Sequence, residues 1–198
     1  MGFGHNETMT RSPIHIYELT CLSVVMASIV SMVLISYGHF RASYVLFSIP
    51  VTVLIIWLLY RRVDFSFRER FGNALFLILV VAILLRWGPY PHHVGGQDQG
   101  LYINLSSTYE KTGSLNYTDL FRNTLADRPK SLYDRNGGSI MPGVAVMDRA
   151  KSIQQMPFYP LHPLWMANFA KLLGPHHRTY SLLFFSLLSI MGIYLLTL

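Results

Sequence analysis

Residues 19–37 read LTCLSVVMASIVSMVLISY, a run with no charged side chain. A helix needs about 20 mostly apolar residues to cross a hydrocarbon core roughly 30 Å thick, because each residue rises about 1.5 Å. This run meets that length. Three more follow along the chain. Residues 42–60 (ASYVLFSIPVTVLIIWLLY) are uncharged and contain one proline, Pro50. Residues 71–85 are uncharged but short, and span the bilayer only if Arg86 snorkels and Trp87 sits at the interface. Residues 179–198 are uncharged to the last position. Charged residues make up 13% of the 198-residue chain, against roughly 25% in a soluble domain. The expected fold is therefore an all-α membrane protein with about four transmembrane helices.

The short connections set the orientation. Arg61, Arg62, Arg68 and Arg70 crowd the link between the second and third runs, whereas the link between the first two holds only Arg41. Lys and Arg favour the cytoplasmic side in short loops. The N-terminus is then cytoplasmic and the segment after the third run lies outside. That segment, residues 88–178, is too long for its own charges to overturn the assignment. The expected location is the cytoplasmic membrane of a bacterium, multi-pass; in a eukaryote the same face would be the ER lumen. The chain stops inside its fourth apolar run with no polar flank, as an N-terminal part of a longer protein would. The single cysteine, Cys21, rules out an intrachain disulfide. No basic run with interleaved aromatics points to a nucleic acid.

The outer segment reads in pieces. Leu101, Leu105 and Tyr109 recur at four-residue spacing across residues 98–112, one stripe of an amphipathic helix that Gly113 should end. A second short helix is expected over 119–125. Residues 127–155 are mixed polar, with Gly137-Gly138 and Pro142-Gly143 as turns. A third helix should start near His162, with Pro163 at its first position, and run to Leu173 before Gly174-Pro175 stops it. These helices are expected on or near the membrane surface, as a cover over the spans. The domain division is then 1–70, an N-terminal tail, hairpin and Arg-rich link, and 71–198, with a span at 71–87, an extracytoplasmic loop at 88–178 and a span at 179–198.

The densest polar stretch runs from Pro89 through His92-His93-Val94-Gly95-Gly96-Gln97-Asp98. A carboxylate here lies near water, near the bilayer surface and at a helix N-terminus that favours its ionised form. That suits a general base or a metal-binding carboxylate acting on a lipid-borne substrate. The competing reading is structural, with Asp98 capping the helix.

The string Gly95-Gly96-Gln97-Asp98-Gln99-Gly100-Leu101-Tyr102, placed after a short membrane helix and followed by Thr112-Gly113-Ser114-Leu115, resembles the first extracytoplasmic loop of the GT-C superfamily. These are multispanning glycosyltransferases that use polyprenyl-phosphate-linked sugars. Phe158-Tyr159-Pro160-Leu161-His162-Pro163-Leu164 is similar to the Tyr-Pro-rich stretch that opens a later helix in the same families. Together the two cover residues 71–198 and leave the first two runs as an added hairpin. The resemblance implies an inverting transferase in which Asp98 deprotonates or orients the acceptor hydroxyl, with Gln97, Tyr102, His92, His93 and His162 binding substrate. The partners implied are the bilayer, a polyprenyl-phosphate-linked sugar and an acceptor glycan, lipid or protein. Many members carry two acids at this place, and this chain has Gln97 beside a single Asp98. A divalent cation is therefore left open and no metal ligand is assigned.

The alternative is a non-enzymatic multispanning protein, such as a scaffold subunit or a transporter fragment. No span carries a charged pair or a broken midplane site of the transporter kind. The histidine pairs His92-His93 and His176-His177 lack the i, i+4 spacing of a helical zinc site. Interfacial hydrogen bonding or phosphate contact suits them better. Arg122, Arg128, Lys130, Arg135, Arg149 and Lys151 are candidates for holding a lipid phosphate, or simply a solvated surface. Asn104-Leu105-Ser106 and Asn116-Tyr117-Thr118 are formal glycosylation sequons.

Overall fold

A computed structural model describes residues 16–59, 73–88, 98–135, 145–155 and 159–197. Each apolar run is a helix in it. α1 (Ile16–Ser36) and α2 (Ala42–Leu59) form an antiparallel hairpin, α3 is Asn73–Arg86, and the last apolar helix is Tyr180–Leu196. Among the described residues one helix, Tyr17–Ser36, is long and apolar enough by itself to cross a bilayer; the other three apolar helices are shorter. Serines and threonines within them do not break the helices, because their hydroxyls can turn back on a carbonyl of the preceding turn. Ser28 bonds Val24 O, Ser31 bonds Ala27 O and Thr52 bonds Ser48 O, at 2.7, 2.7 and 2.8 Å.

Between α3 and the last helix the chain builds α4 (Asp98–Thr112), β1 (Asn116–Thr118), α5 (Leu120–Thr124), α6 (Asp127–Arg135), β2 (Ala145–Asp148), β3 (Ile153–Gln155) and α7 (Leu161–Leu173). A 3-10 turn over Pro175–His177 leads into the last helix, α8. α4 follows its sequence pattern closely: Leu105 and Tyr109 are buried, Leu101 is half-buried and Asn104 is exposed. Ile103 and Ser106 are buried as well, so the covered face is wider than the stripe. Gly113 ends α4 at φ +68, and its close approach is specific. A Cβ there would lie 2.9 Å from Phe40 O, and Phe40 N donates to Gly113 O at 3.0 Å. The α1–α2 turn is thereby seated on the end of α4.

The all-helical expectation needs correction. The strands form a small antiparallel sheet in the order β1-β3-β2, with Asn116 opposite Gln155 and Thr118 opposite Ile153. Strands of three and four residues are too short to show an alternation in sequence. The helix α6 also departs from expectation, since its sequence DRPKSLYDR is almost wholly polar.

α7 is more enclosed by protein than an isolated amphipathic helix would be: every residue from Pro163 to Asn168 is buried, while Leu172 and Leu173 at its end are exposed. α7 packs against α1, α2, α4 and α8. The core joins Ala27 and Ile35 of α1, Phe40, Val45 of α2, Leu105 and Tyr109 of α4 and Leu164 and Trp165 of α7. Trp165 Nε1 donates to Ser28 Oγ at 3.0 Å, and the Trp165 ring lies 5.4 Å from that of Phe185.

α3 and α8 are antiparallel. Trp87, just past the end of α3, meets Tyr180 at the start of α8 edge-on at 6.1 Å. α1 and α8 are opposed too, since a Cβ on Gly192 near the end of α8 would collide with the Tyr17 hydroxyl at the start of α1. The α1–α2 turn, the end of α3 and the start of α8 therefore share one end of the bundle, where Gly113 at the end of α4 also lies.

Candidate functional site

Asp98 is the first residue of α4. Gln97, His92 and His93 lie outside the described residues, as do Gly95 and Gly96 of the same motif. Tyr102 follows Asp98 by one helical turn, so the two positions share a face of α4. The Tyr102 ring meets His162 edge-to-face, centroids 5.3 Å apart and planes at 90°. Two residues singled out in separate motifs thus come together, because α4 and α7 pack side by side.

Tyr102 and His162 line an open cleft of about 410 Å³ with Met166, Thr179 and Leu182. His162 is half-buried, and that burial lowers its pKa below the ordinary 6.5, because a charged imidazole loses hydration there. At neutral pH it is an uncharged ring able to donate through one nitrogen and accept through the other. The cleft therefore combines a neutral imidazole with apolar walls from Met166 and Leu182, a lining suited to a ligand that is part polar and part apolar.

Thr179 is held in place by its neighbour. Arg178 is buried and ties the start of α8 to α4, donating from Nη1 to Ser106 Oγ at 2.9 Å and from Nη2 to Glu110 Oε2 at 3.2 Å. Reading the sequence gave Arg178 no role. Its partners lie far back in the chain, and no local pattern marks them. A second cleft of about 410 Å³ opens on the other side of Leu182, between α3 and α8, lined by Arg86, Trp87, Gly88, Leu183 and Ser186. Arg86, expected to snorkel, donates to the hydroxyl of Ser186.

Arg122 does not fit its expected role as a candidate phosphate ligand. Its guanidinium is turned inward, donating to Arg149 O at 2.5 Å and to Ser152 Oγ at 2.6 Å. It is a structural tie between α5 and the β2–β3 turn. Arg128, Arg149 and Lys151 are exposed. Of the sequons, Asn104 and Asn116 are exposed, but Ser106 is buried under Arg178. His176 and His177 lie in the 3-10 turn, and the His177 ring contacts Tyr180 at 5.3 Å. Among the described residues no group of three or more His, Cys, Asp or Glu side chains could hold a metal ion. Comparison with protein-family models, with curated proteins and with solved structures gives no match for this chain.

Proposed function

We propose that this chain belongs to a membrane glycosyltransferase that moves a sugar from a polyprenyl-phosphate carrier to an acceptor on the extracytoplasmic face. The observation that carries the reading is the meeting of Tyr102 and His162 at one cleft, one turn along α4 from Asp98. The two segments that resemble the GT-C loop and its later helix are far apart in sequence and adjacent in space.

The bilayer part of the reading, with α1, α2, α3 and α8 as spans, has its own support. The exposed faces of these helices are apolar: Leu22, Val25, Ile29 and Val33 on α1, Phe47, Val51, Leu54 and Leu58 on α2. Such spacing along α1 and α2 describes a lipid-facing stripe, and the back-bonded hydroxyls leave little for water to do. α3, with 14 residues, needs the Arg86 and Trp87 flank to reach the interface. The seat of the α1–α2 turn on Gly113 agrees with the Arg-based orientation, which puts both on one side.

In the proposed reaction the acceptor hydroxyl gives its proton to the Asp98 carboxylate as its oxygen bonds to the anomeric carbon. The bond from that carbon to the phosphate oxygen breaks on the opposite face, and polyprenyl phosphate departs with the electron pair. Tyr102 and His162, with Gln97, His92 and His93, are the residues assigned to binding. Positioned general-base catalysis typically contributes about 10²–10⁴-fold. Asp98→Asn in the full-length protein should therefore lose transfer from a polyprenyl-phosphate sugar in membranes while insertion and amount stay unchanged. Asn caps a helix about as well as Asp, so a purely capping Asp98 would leave activity near normal. An Asp98→Asn enzyme retaining more than about a third of the rate would end the assignment and favour a non-catalytic membrane protein.

A further inference from the structure

Arg86 is the last residue of α3, and it reaches inward along the bundle rather than snorkelling outward. A helical side chain leans toward the N-terminus of its own helix, so a long one at the end of α3 leans back along it. The guanidinium donates from Nη1 to the hydroxyl of Ser186. α8 runs about 9 Å inward between Tyr180 and Ser186. Tyr180, at the start of α8, is the residue that Trp87 meets edge-on, and Trp and Tyr in such places mark a membrane interface. The charge of Arg86 therefore lies deeper than the aromatic pair. The hydroxyl that receives it already donates to Leu182 O at 2.8 Å. It fixes the guanidinium and balances no charge. Leu85, Trp87, Leu182 and Leu183 line the same cleft between α3 and α8, and Leu85 stands 81% exposed on its rim. A cation at such depth is costly unless it meets an opposite charge.

We propose that this cleft holds one phospholipid, its phosphodiester on Arg86 and an acyl chain along Leu85, Leu182 and Leu183. The inference rests on the reading that the apolar helices cross a bilayer and is independent of any transfer reaction. The bond to Ser186 uses one of the guanidinium's N–H groups, which leaves donors for an anion. Charge decides which lipid. A phosphodiester carries a single negative charge, matching the single guanidinium, and its two free oxygens suit the guanidinium fork. A phosphomonoester, as on a polyprenyl phosphate, carries closer to two charges near pH 7. One cation would leave much of that charge unmet among apolar walls.

The test is native mass spectrometry of the full chain in detergent, titrated with phosphatidylglycerol or with diacylglycerol, which lacks the phosphate. One phosphatidylglycerol should bind in preference to diacylglycerol. Arg86→Gln, or Arg86→Met where the Gln variant does not fold, should weaken that binding about tenfold, as the loss of one charge-assisted hydrogen bond implies. Arg41→Gln, at the exposed α1–α2 turn, should leave it unchanged. Undiminished binding by the Arg86 variant overturns the proposal. An equal loss in Arg41→Gln overturns it as well, since the lipid would then be held by a general basic surface. Tighter, Arg86-dependent binding of polyprenyl phosphate assigns the cleft to a phosphomonoester and also overturns it. None of these readouts depends on transfer activity. The bilayer itself is checked with a fluorophore at Leu54→Cys, an exposed position of α2, in a Cys21→Ser background. That label should be quenched by nitroxide-chain lipids in bilayer discs. If it is not, the bilayer reading fails and takes the proposal with it.

Discussion

Arg122 and His162 are both polar side chains drawn out of water, and their surroundings treat them differently. The Arg122 guanidinium is satisfied in its buried place by Arg149 O and Ser152 Oγ, which accept from it. His162 faces Tyr102, Met166, Thr179 and Leu182, none of them anionic, so burial lowers its pKa. The sign of the stability effect follows from linkage. The unfolded chain takes up this proton near pH 6.5, whereas the folded chain takes it up only at lower pH. Stability from this group is thus complete above pH 6.5 and is lost as pH falls below it. Melting in detergent should occur at a lower temperature at about pH 5 than at about pH 7.5, and His162→Gln should reduce that difference. An unchanged pH dependence in the variant would contradict the burial of a neutral ring. The sequence marked His162 as a candidate but could not show its neutrality, because desolvation comes from side chains on α4 and α8. Arg122 was legible only as a cation; its burial depends on a turn formed well downstream.

At the scale of elements, α4 was the most legible. Its four-residue spacing of apolar positions and its closing glycine are local features, and the helix follows them. Leu105 is fully buried and Asn104 exposed. Leu105→Ala should therefore cost about 2–5 kcal/mol, and Asn104→Ala no more than about 0.5 kcal/mol. Unfolding in detergent measures both, and equal losses would contradict the orientation of α4. α5 was legible for a similar reason, since Asp119 is a good cap and the structure uses it as one. The sheet was not, because its strands are defined by pairing partners such as Tyr117 and Gln154, whose side chains bond at 3.1 Å. α7 shows the other limit. Its apolar content identified a helix, but whether such a helix meets lipid headgroups or other helices depends on what surrounds it.

For the whole molecule, the contact of Phe40 with Gly113 links the α1–α2 turn to the connection between α3 and α8. In the proposed membrane topology both must therefore react from the same side. With Cys21→Ser, single cysteines at the exposed positions His39 and Lys111 should be labelled by a membrane-impermeant thiol reagent added to intact cells, and one at Ser66 should not. Labelling of 39 and 111 from opposite sides would contradict the packing; labelling of 66 alone would reverse the orientation. The apolar helices, the Asp98-headed helix and the stop at Gly113 were determined by the sequence alone, because unbroken apolar length, turn periodicity and glycine's conformational range act within a few residues. The meeting of Tyr102 with His162, the hold of Arg178 on Ser106 and Glu110 and the burial of Arg122 were decided only by the tertiary structure. Such contacts join residues distant in the chain, and they arise from the packing of whole helix surfaces, which leaves no mark at any one position.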